Sequence, residues 1–482
     1  MVASQSRAVF ISELKCLRHG VRWSELCQDA IDWNIWGKEK RNWQKNEEGR
    51  KRGWKKWQKY EEGRKRRRKV RNEGRKIGDR LKIVHIITRM ILGGAQENTL
   101  FTCEGQHLDS NNEVTLITGP AIGREGELVE RAKECGFQVI LVDEMRREVN
   151  VWLEFLTLRS LTRHLRELKP DVVHTHSTKA GILGRMAAQK ARVPVVIHTI
   201  HGPPFHPNQI WIKNAFFIAL ERYAAKKSDK ILCVADAMSQ QAIDAGVAPA
   251  DMFVTVRSGM EVEHFRDSSK HREEMRRKLG FAEGEIVVGK IARLAHLKGY
   301  EFMIELAQSL CPKYPNLKFM FVGDGALHDS LQRQAQESGI GDRIVFTGLV
   351  PATEIPACIS AMDILVHTSL REGLARVLPQ ALISGKPVVS FDIDGAREVC
   401  LNEETGFLIP PKDQMALEEG VEKLIADPDL KARLGARGQE LFTEAFSKEV
   451  MVEQINDIYR QCLALKALRS SQKRLDIPDR RR

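Results

Sequence analysis

The sequence predicts an α/β protein of two doubly wound domains, each a parallel sheet covered by helices, facing each other across a cleft. Three observations carry this expectation. From Leu81 onward, short β-branched runs alternate with segments whose apolar residues recur every three to four positions. The runs are apolar almost throughout, as strands are when helices cover both faces of a sheet. The series also stops and restarts, because a polar, charged stretch from Asp267 to Arg277 separates two sets of strands.

The first set reads Lys82–Ile87, Glu113–Thr118, Gln138–Val142, Val172–His174, Val195–Thr199 and Ile231–Val234, and ends on Val254-Thr255-Val256. The second reads Ile286–Ile291, Lys318–Val322, Ile344–Phe346, Ile364–Val366 and Pro387–Phe391. This divides the chain into an extension (1–80), an N-terminal domain (81–262), a C-terminal domain (263–447), a crossing helix (448–465) and a basic tail (466–482). The helix pattern from Lys448 to Leu465 has the reach to return to the first domain. In sheets of this kind ligands bind at the carboxyl ends of the strands.

Composition narrows the function. The hydrophobic share is 42% and the charged share 29%, as in soluble globular chains. No apolar run approaches the roughly 18 residues of a membrane-spanning helix. Nine scattered cysteines without a C-x-x-C pair read as reduced, mostly buried thiols of a cytoplasmic protein, and give a zinc site no support.

The net charge of +12 is local. Residues 1–80 hold 24 Lys/Arg against 11 Asp/Glu, and the remainder 52 against 53. A neutral body speaks against nucleic acid as a partner. The extension also holds six of the eight tryptophans, and Trp43–Arg52 recurs almost unchanged as Trp57–Arg66. With few aliphatic residues to bury, it is expected to be disordered or loosely helical. The leading reading is a start site placed upstream of the true protein, since Leu81–Ile87 opens abruptly as a first strand. A stacking nucleic-acid arm and a tether to anionic lipid are the minority readings.

Six short motifs fall at strand ends. Gly93-Gly94 lies between the first strand and a helix, where backbone can approach a phosphate; a plain turn explains it equally well. His176, in His174-Thr175-His176, and His201-Gly202 end two successive strands. A lone histidine there is ordinarily a surface or capping residue, but three together suggest a grip on a polar substrate. Arg293 and Lys298 follow a strand and lead into a helix, as a diphosphate clamp does, or as two solvated charges do. Gly323, in Gly323-Asp324-Gly325, marks backbone near a ligand or a tight turn. Glu372, Gly373, Leu374 and Ala375 open a helix that carries Gln380 about two turns on. Asp392-Ile393-Asp394 has the form of a metal-binding D-x-D, but reads as structural at this strand end.

In order, these motifs resemble glycosyltransferase family 4, retaining enzymes of the two-Rossmann GT-B architecture, from about Lys82 to Leu463. The resemblance implies a nucleotide-sugar donor, an acceptor it does not identify, retention of configuration, and neither cofactor nor metal. It implies Arg293 and Lys298 on the leaving diphosphate, Glu372 and His201 on the transferred sugar, and Gly94, Gly323, Gly373, Leu374, Ala375 and Gln380 on the donor. Gly93 and His176 would line the acceptor side. Lipid-linked or cell-surface polysaccharide acceptors, with peripheral contact at the inner membrane face, suit such an enzyme.

Two positions depart from the family. Gln380 stands where its Glu-x7-Glu pattern ends in the glutamate that binds ribose. Ser258-Gly259-Met260-Glu261 replaces Asn-Gly-Val-Asp, a change expected to reshape the cleft floor. The rival readings are a non-catalytic nucleotide-sugar-binding protein, a nucleotide-sugar 2-epimerase, and nucleic-acid binding through the extension.

Overall fold

In the computed structural model, which describes residues 80–109, 112–120, 128–206 and 209–475, the first strand already dictates a layered fold. β1 (Leu81–Arg89) buries every residue from Ile83 to Ile87. Val84 and Ile86 join Leu161, Leu165, Ala180 and Leu183 on one face. Ile87 joins Leu100, Cys103, Val129 and Phe137 on the other. A strand apolar on both faces must lie inside a covered sheet.

The first sheet has the order β3-β2-β1-β4-β5-β6-β7, with every pairing parallel. Its other strands are β2 (Asn112–Gly119), β3 (Gln138–Leu141), β4 (Val172–His176), β5 (Val195–Ile200), β6 (Lys230–Cys233) and β7 (Phe253–Thr255). Its helices are α1 (Gly94–Leu108), α2 (Val129–Glu134), α3 (Val151–Leu168), α4 (Thr178–Ala191), α5 (Trp211–Ala225) and α6 (Asp236–Asp244). The side chain of Asn150 caps α3 by accepting from the amides of Trp152 and Leu153 at 3.0 and 3.2 Å, a contribution of about 1 kcal/mol.

After α7 (Val262–Arg266) and α8 (Arg272–Lys278) comes the second sheet, β10-β9-β8-β11-β12-β13, again parallel throughout. Its strands are β8 (Ile286–Ile291), β9 (Leu317–Val322), β10 (Ile344–Phe346), β11 (Ile364–His367), β12 (Val388–Phe391) and β13 (Gly406–Ile409). Its helices are α9 (Tyr300–Leu310), α10 (His328–Glu337), α11 (Ile355–Ala361), α12 (Val377–Ile383), α13 (Gln414–Ala426) and α14 (Pro428–Phe442). Phe319, Phe321, Val366 and Phe391 of this sheet pack with Met303, Ile304, Leu417 and Leu424 of its helices. In both sheets the strand order reverses beside the first strand, at β1/β4 and at β8/β11. These are the points where doubly wound sheets open a crevice for ligands.

The last helix, α15 (Lys448–Leu475), runs ten residues beyond its predicted end, so the first part of the basic tail is helical. It lies against α1 of the first sheet, where Val452 packs so closely on Gly105 that a Cβ there would sit 2.7 Å from its methyl. Asn98 donates to the sulfur of Met451 at 3.0 Å, and Lys466 holds the Asp229 carboxylate at 2.7 Å.

The segment Ser258–Glu261 meets the start of the last described helix. Met260 donates to the Phe446 carbonyl and accepts from the Lys448 amide, so the segment anchors the start of α15. β13 was not predicted. The Trp-rich extension and the end of the basic tail lie outside the described residues. Among the described residues the cysteines are free and all but Cys135 are buried. No described helix is long and apolar enough to cross a membrane.

Candidate active site

The loop after β8 carries the predicted cations. Leu297 and Gly299 both take positive φ, 66° and 70°. A Cβ on Gly299 would lie 1.9 Å from the Thr368 carbonyl oxygen, so only glycine fits this turn. The turn delivers Lys298 to Glu372, where its Nζ donates to Oε1. The Nε2 of His367 lies 3.8 Å from the same oxygen. Burial alone would raise the Glu372 pKa, but His367 and Lys298 outweigh it and hold the carboxyl down at about 2. The Glu372 amide donates to Asp394 at 2.7 Å, and Asp392 is taken by Arg397 at 2.9 Å. Both acids of the D-x-D thus have protein partners. Arg293 is exposed on the same loop.

The glycines shape this loop. A Cβ on Gly323 would lie 2.2 Å from the Ala292 carbonyl oxygen, so the end of β9 presses on the segment that carries Arg293. Gly373, Leu374 and Ala375 precede α12, which starts at Val377 and has seven residues. Their amides are thus offered by a loop, and Gln380 falls in the helix's first turn rather than two turns on.

Across from these lies the first sheet's switch point. His201 directly follows β5, and its Nε2 meets Nδ1 of His176 at 3.1 Å. Burial, then the nearby Arg376, lowers the His201 pKa to about 4. His176 is wholly buried behind His201, so it does not line the acceptor side as expected. Its Nε2 meets Nδ1 of His85 at 3.0 Å, and His85 reaches Gln106 at 2.8 Å. His174 is held by Tyr459 and Thr199, both at 2.6 Å. The nitrogens of His85, His174 and His176 lie close enough to hold a cation. All six already have hydrogen-bond partners, which marks a satisfied polar network.

The two sheets' loops touch. A Cβ on Gly373 would lie 3.0 Å from the His201 carbonyl oxygen and from the Met238 sulfur. Arg371 reaches the Pro203 carbonyl at 3.4 Å, and the Ala237 amide donates to Glu398 at 2.9 Å. Arg376 pairs with Glu97, and its Cδ is 3.0 Å from where a Cβ on Gly94 would stand. Gly93, Gly94, His201 and Gly373 are thereby gathered at one cleft, with Lys298 and Glu372 on its second wall.

Residues 93–257 match the family described as glycosyl transferase 4-like domain, and residues 271–441 match glycosyl transferases group 1. The chain is a family-4-type glycosyltransferase. The transferase is 26% identical to the UDP-Gal:alpha-D-GlcNAc-diphosphoundecaprenol alpha-1,3-galactosyltransferase of Escherichia coli, over 79% of this chain and 97% of that one. It is 27% identical to the alpha-D-kanosaminyltransferase of Streptomyces kanamyceticus, over 63% and 80%. Among solved structures, Anabaena HepE in complex with UDP and glucose superposes with a TM-score of 0.66 at 22% identity, covering 78% of this chain and 99% of that one. Sucrose-phosphate synthase of Thermosynechococcus elongatus does so with 0.68 at 19%, covering 80% and 100%. These likenesses confirm the GT-B architecture.

The sequence reading of the transferase missed three groups at the site: Arg376, His367 and His85. Only His85 had a signal of its own, as the sole polar residue inside an apolar strand core. Arg376 and His367 become visible through partners on other elements.

Proposed function

We propose that the transferase moves a hexosyl group from a nucleoside diphosphate sugar to an acceptor hydroxyl with retention of configuration and without a metal ion. One observation carries this reading: the Glu372–Gly373 loop of one sheet lies in contact with the His201 backbone of the other. The donor-binding and sugar-binding motifs of the family thus face one space. HepE, whose structure holds UDP and glucose, and the E. coli relative named for UDP-Gal make a uridine diphosphate sugar the first donor to test.

In this reading the bond from the anomeric carbon to the diphosphate oxygen breaks, and negative charge grows on the departing diphosphate. Lys298, Arg293 and the loop amides of Gly373 to Ala375 offset that charge, the kind of stabilisation that is usually the largest catalytic contribution. The acceptor hydroxyl bonds to the anomeric carbon from the same face and gives its proton to the leaving phosphate oxygen. Glu372 stays ionised and accepts hydrogen bonds from sugar hydroxyls, Gln380 meets the ribose, and Gly93 borders the acceptor. Lys298 and Arg293 supply the positive charge that a divalent cation would otherwise provide, and Asp392 and Asp394 are already engaged. A lipid-linked acceptor and contact with a membrane face belong to the same reading.

A thermal-shift screen of the full chain against nucleoside diphosphate sugars and bare nucleotides tests it. A ligand at a hundred times its dissociation constant adds about 2.7 kcal/mol of stability. A raised midpoint with one sugar donor, reduced in Lys298→Ala, is the expected result. No response to any donor overturns the reading.

A further inference from the structure

The buried histidines form a directed chain. Gln106 Nε2 donates to Asn456 Oδ1 of α15 at 2.8 Å, which turns Gln106 Oε1 toward His85 Nε2, also at 2.8 Å. Only an N–H can face that carbonyl oxygen, so His85 carries its proton on Nε2. Burial keeps the ring neutral, with its pKa lowered to about 4, and a neutral imidazole has one proton only. His85 Nδ1 is therefore bare and accepts from His176 Nε2–H at 3.0 Å. His176 is neutral for the same reason, so its Nδ1 is bare in turn and accepts from His201 Nε2–H at 3.1 Å. Of His85, His176 and His201, only His201 reaches the surface, and its Nδ1 is left for the cleft.

We infer that Asn456, Gln106, His85 and His176 are positioning residues that fix His201 as the Nε2–H tautomer, so that its Nδ1 accepts a hydrogen bond from a substrate hydroxyl. The polarity selects a donating group: a sugar hydroxyl satisfies the bare nitrogen, whereas a carboxylate at that point would set lone pair against lone pair. The chain is no proton conduit, because it ends in the buried amides of Gln106 and Asn456, which neither take up nor release a proton at ordinary pH. The kinetic consequence rests on the proposed placement of the transferred sugar at His201; the tautomer itself does not.

The test is nitrogen NMR of the full chain with labelled histidine, since bare and protonated ring nitrogens resonate far apart. His201 is assigned by its loss in His201→Asn. In the resting protein, His201 Nδ1 is expected to be bare and Nε2 protonated. Asn456→Asp retains an acceptor for Gln106 and leaves the pattern unchanged. Asn456→Lys supplies only donors, turns the Gln106 amide around and shifts the proton of His201 to Nδ1.

Gln106→Leu, which asks less of the fold, cuts the chain and leaves a mixture. Gln106→Glu restores the pattern, because either ionisation state of that carboxyl offers His85 an acceptor. A protonated Nδ1 on His201 in the resting protein overturns the inference. So does a wild-type pattern in both Asn456→Lys and Gln106→Leu. With the donor found in the thermal-shift screen, Gln106→Leu lowers kcat/KM about tenfold, the worth of one ordinary hydrogen bond. A shifted tautomer with unchanged kcat/KM would instead show that the sugar does not sit at His201, and would leave the tautomer assignment standing.

Discussion

The two switch points solve opposite problems. At β8/β11 the wall is built of charge: Lys298 and Glu372 are paired, and Lys290 lies beneath them, its Nζ on Thr368 at 2.9 Å and its pKa lowered by burial to about 7. At β1/β4 the wall is built of neutral dipoles, with three buried histidines whose pKa values are all pushed down by burial. Charge suits the side proposed for the departing diphosphate, because preorganised cations would meet a growing anion there. Neutral donors and acceptors suit the side proposed to read an uncharged sugar, since an unpaired buried charge would cost several kcal/mol. The same sheet topology thus supports two electrostatic styles, chosen by the few residues at the switch strands.

The comparison is broken most directly on its charged side. Lys298→Ala removes the cation proposed to face the leaving group and leaves Glu372 without its ion-pair partner. Turnover is expected to fall roughly 100- to 1,000-fold, as when one oxyanion donor is removed. Steady-state kcat at saturating donor checks this, and unchanged turnover would refute the clamp.

Glu97→Gln acts between the walls, because it removes the negative charge that holds Arg376 to α1. It is expected to raise the donor KM about tenfold, on the scale of one charge-assisted hydrogen bond. Initial rates over a donor series measure it, and an unaltered KM would mean that the pair does not help close the cleft.

Gln380→Glu restores an ionised acceptor at the expected ribose position and should tighten nucleotide binding about threefold. Calorimetric titration with UDP would detect it, and weaker binding would remove Gln380 from the ribose.

The smallest effect is the pH response of the neutral wall. His201, lowered to about 4, is already uncharged at pH 6, and Glu372, held at about 2, is already ionised. Neither group changes charge between pH 6 and 8, so kcat/KM should show no step assignable to them there. Lost hydrogen-bond acceptance appears only as pH falls toward the His201 value. The Glu372 contribution to stability is complete above the ordinary carboxylate range and fades only as pH drops through its lowered folded value. A step near pH 6.5 that disappears in His201→Gln would contradict this.

Much of the fold was legible because it is written locally. Each parallel strand announces itself as a Val/Ile-rich run, and each helix by its spacing. β13 escaped because Gly406–Ile409 is only four residues, opened by a glycine and closed by Pro410-Pro411. The site was legible in part. Gly94, His201, Lys298 and Glu372 stand at strand ends or in short motifs and meet at the cleft. The partners that fix their chemistry are distant in sequence: Glu97 is 279 residues from Arg376, and Gln106 is 350 from Asn456. No local spacing encodes such pairs. His176 looked like a cleft residue because it ends a strand, but the strand end is covered by His201.

The placement of α15 also affects how the protein is made. Asn456 and Tyr459 close the histidine network of a sheet whose last strand ended some two hundred residues earlier. A growing chain can finish both sheets and still hold its first switch point open, with Gln106 and His174 lacking their outer partners. The network becomes complete only with the final helix, so a product cut short before residue 456 would carry every strand and every loop of the cleft without a fixed tautomer. A helix that leaves the ribosome after both sheets thus acts as a seal of completeness on the first domain formed.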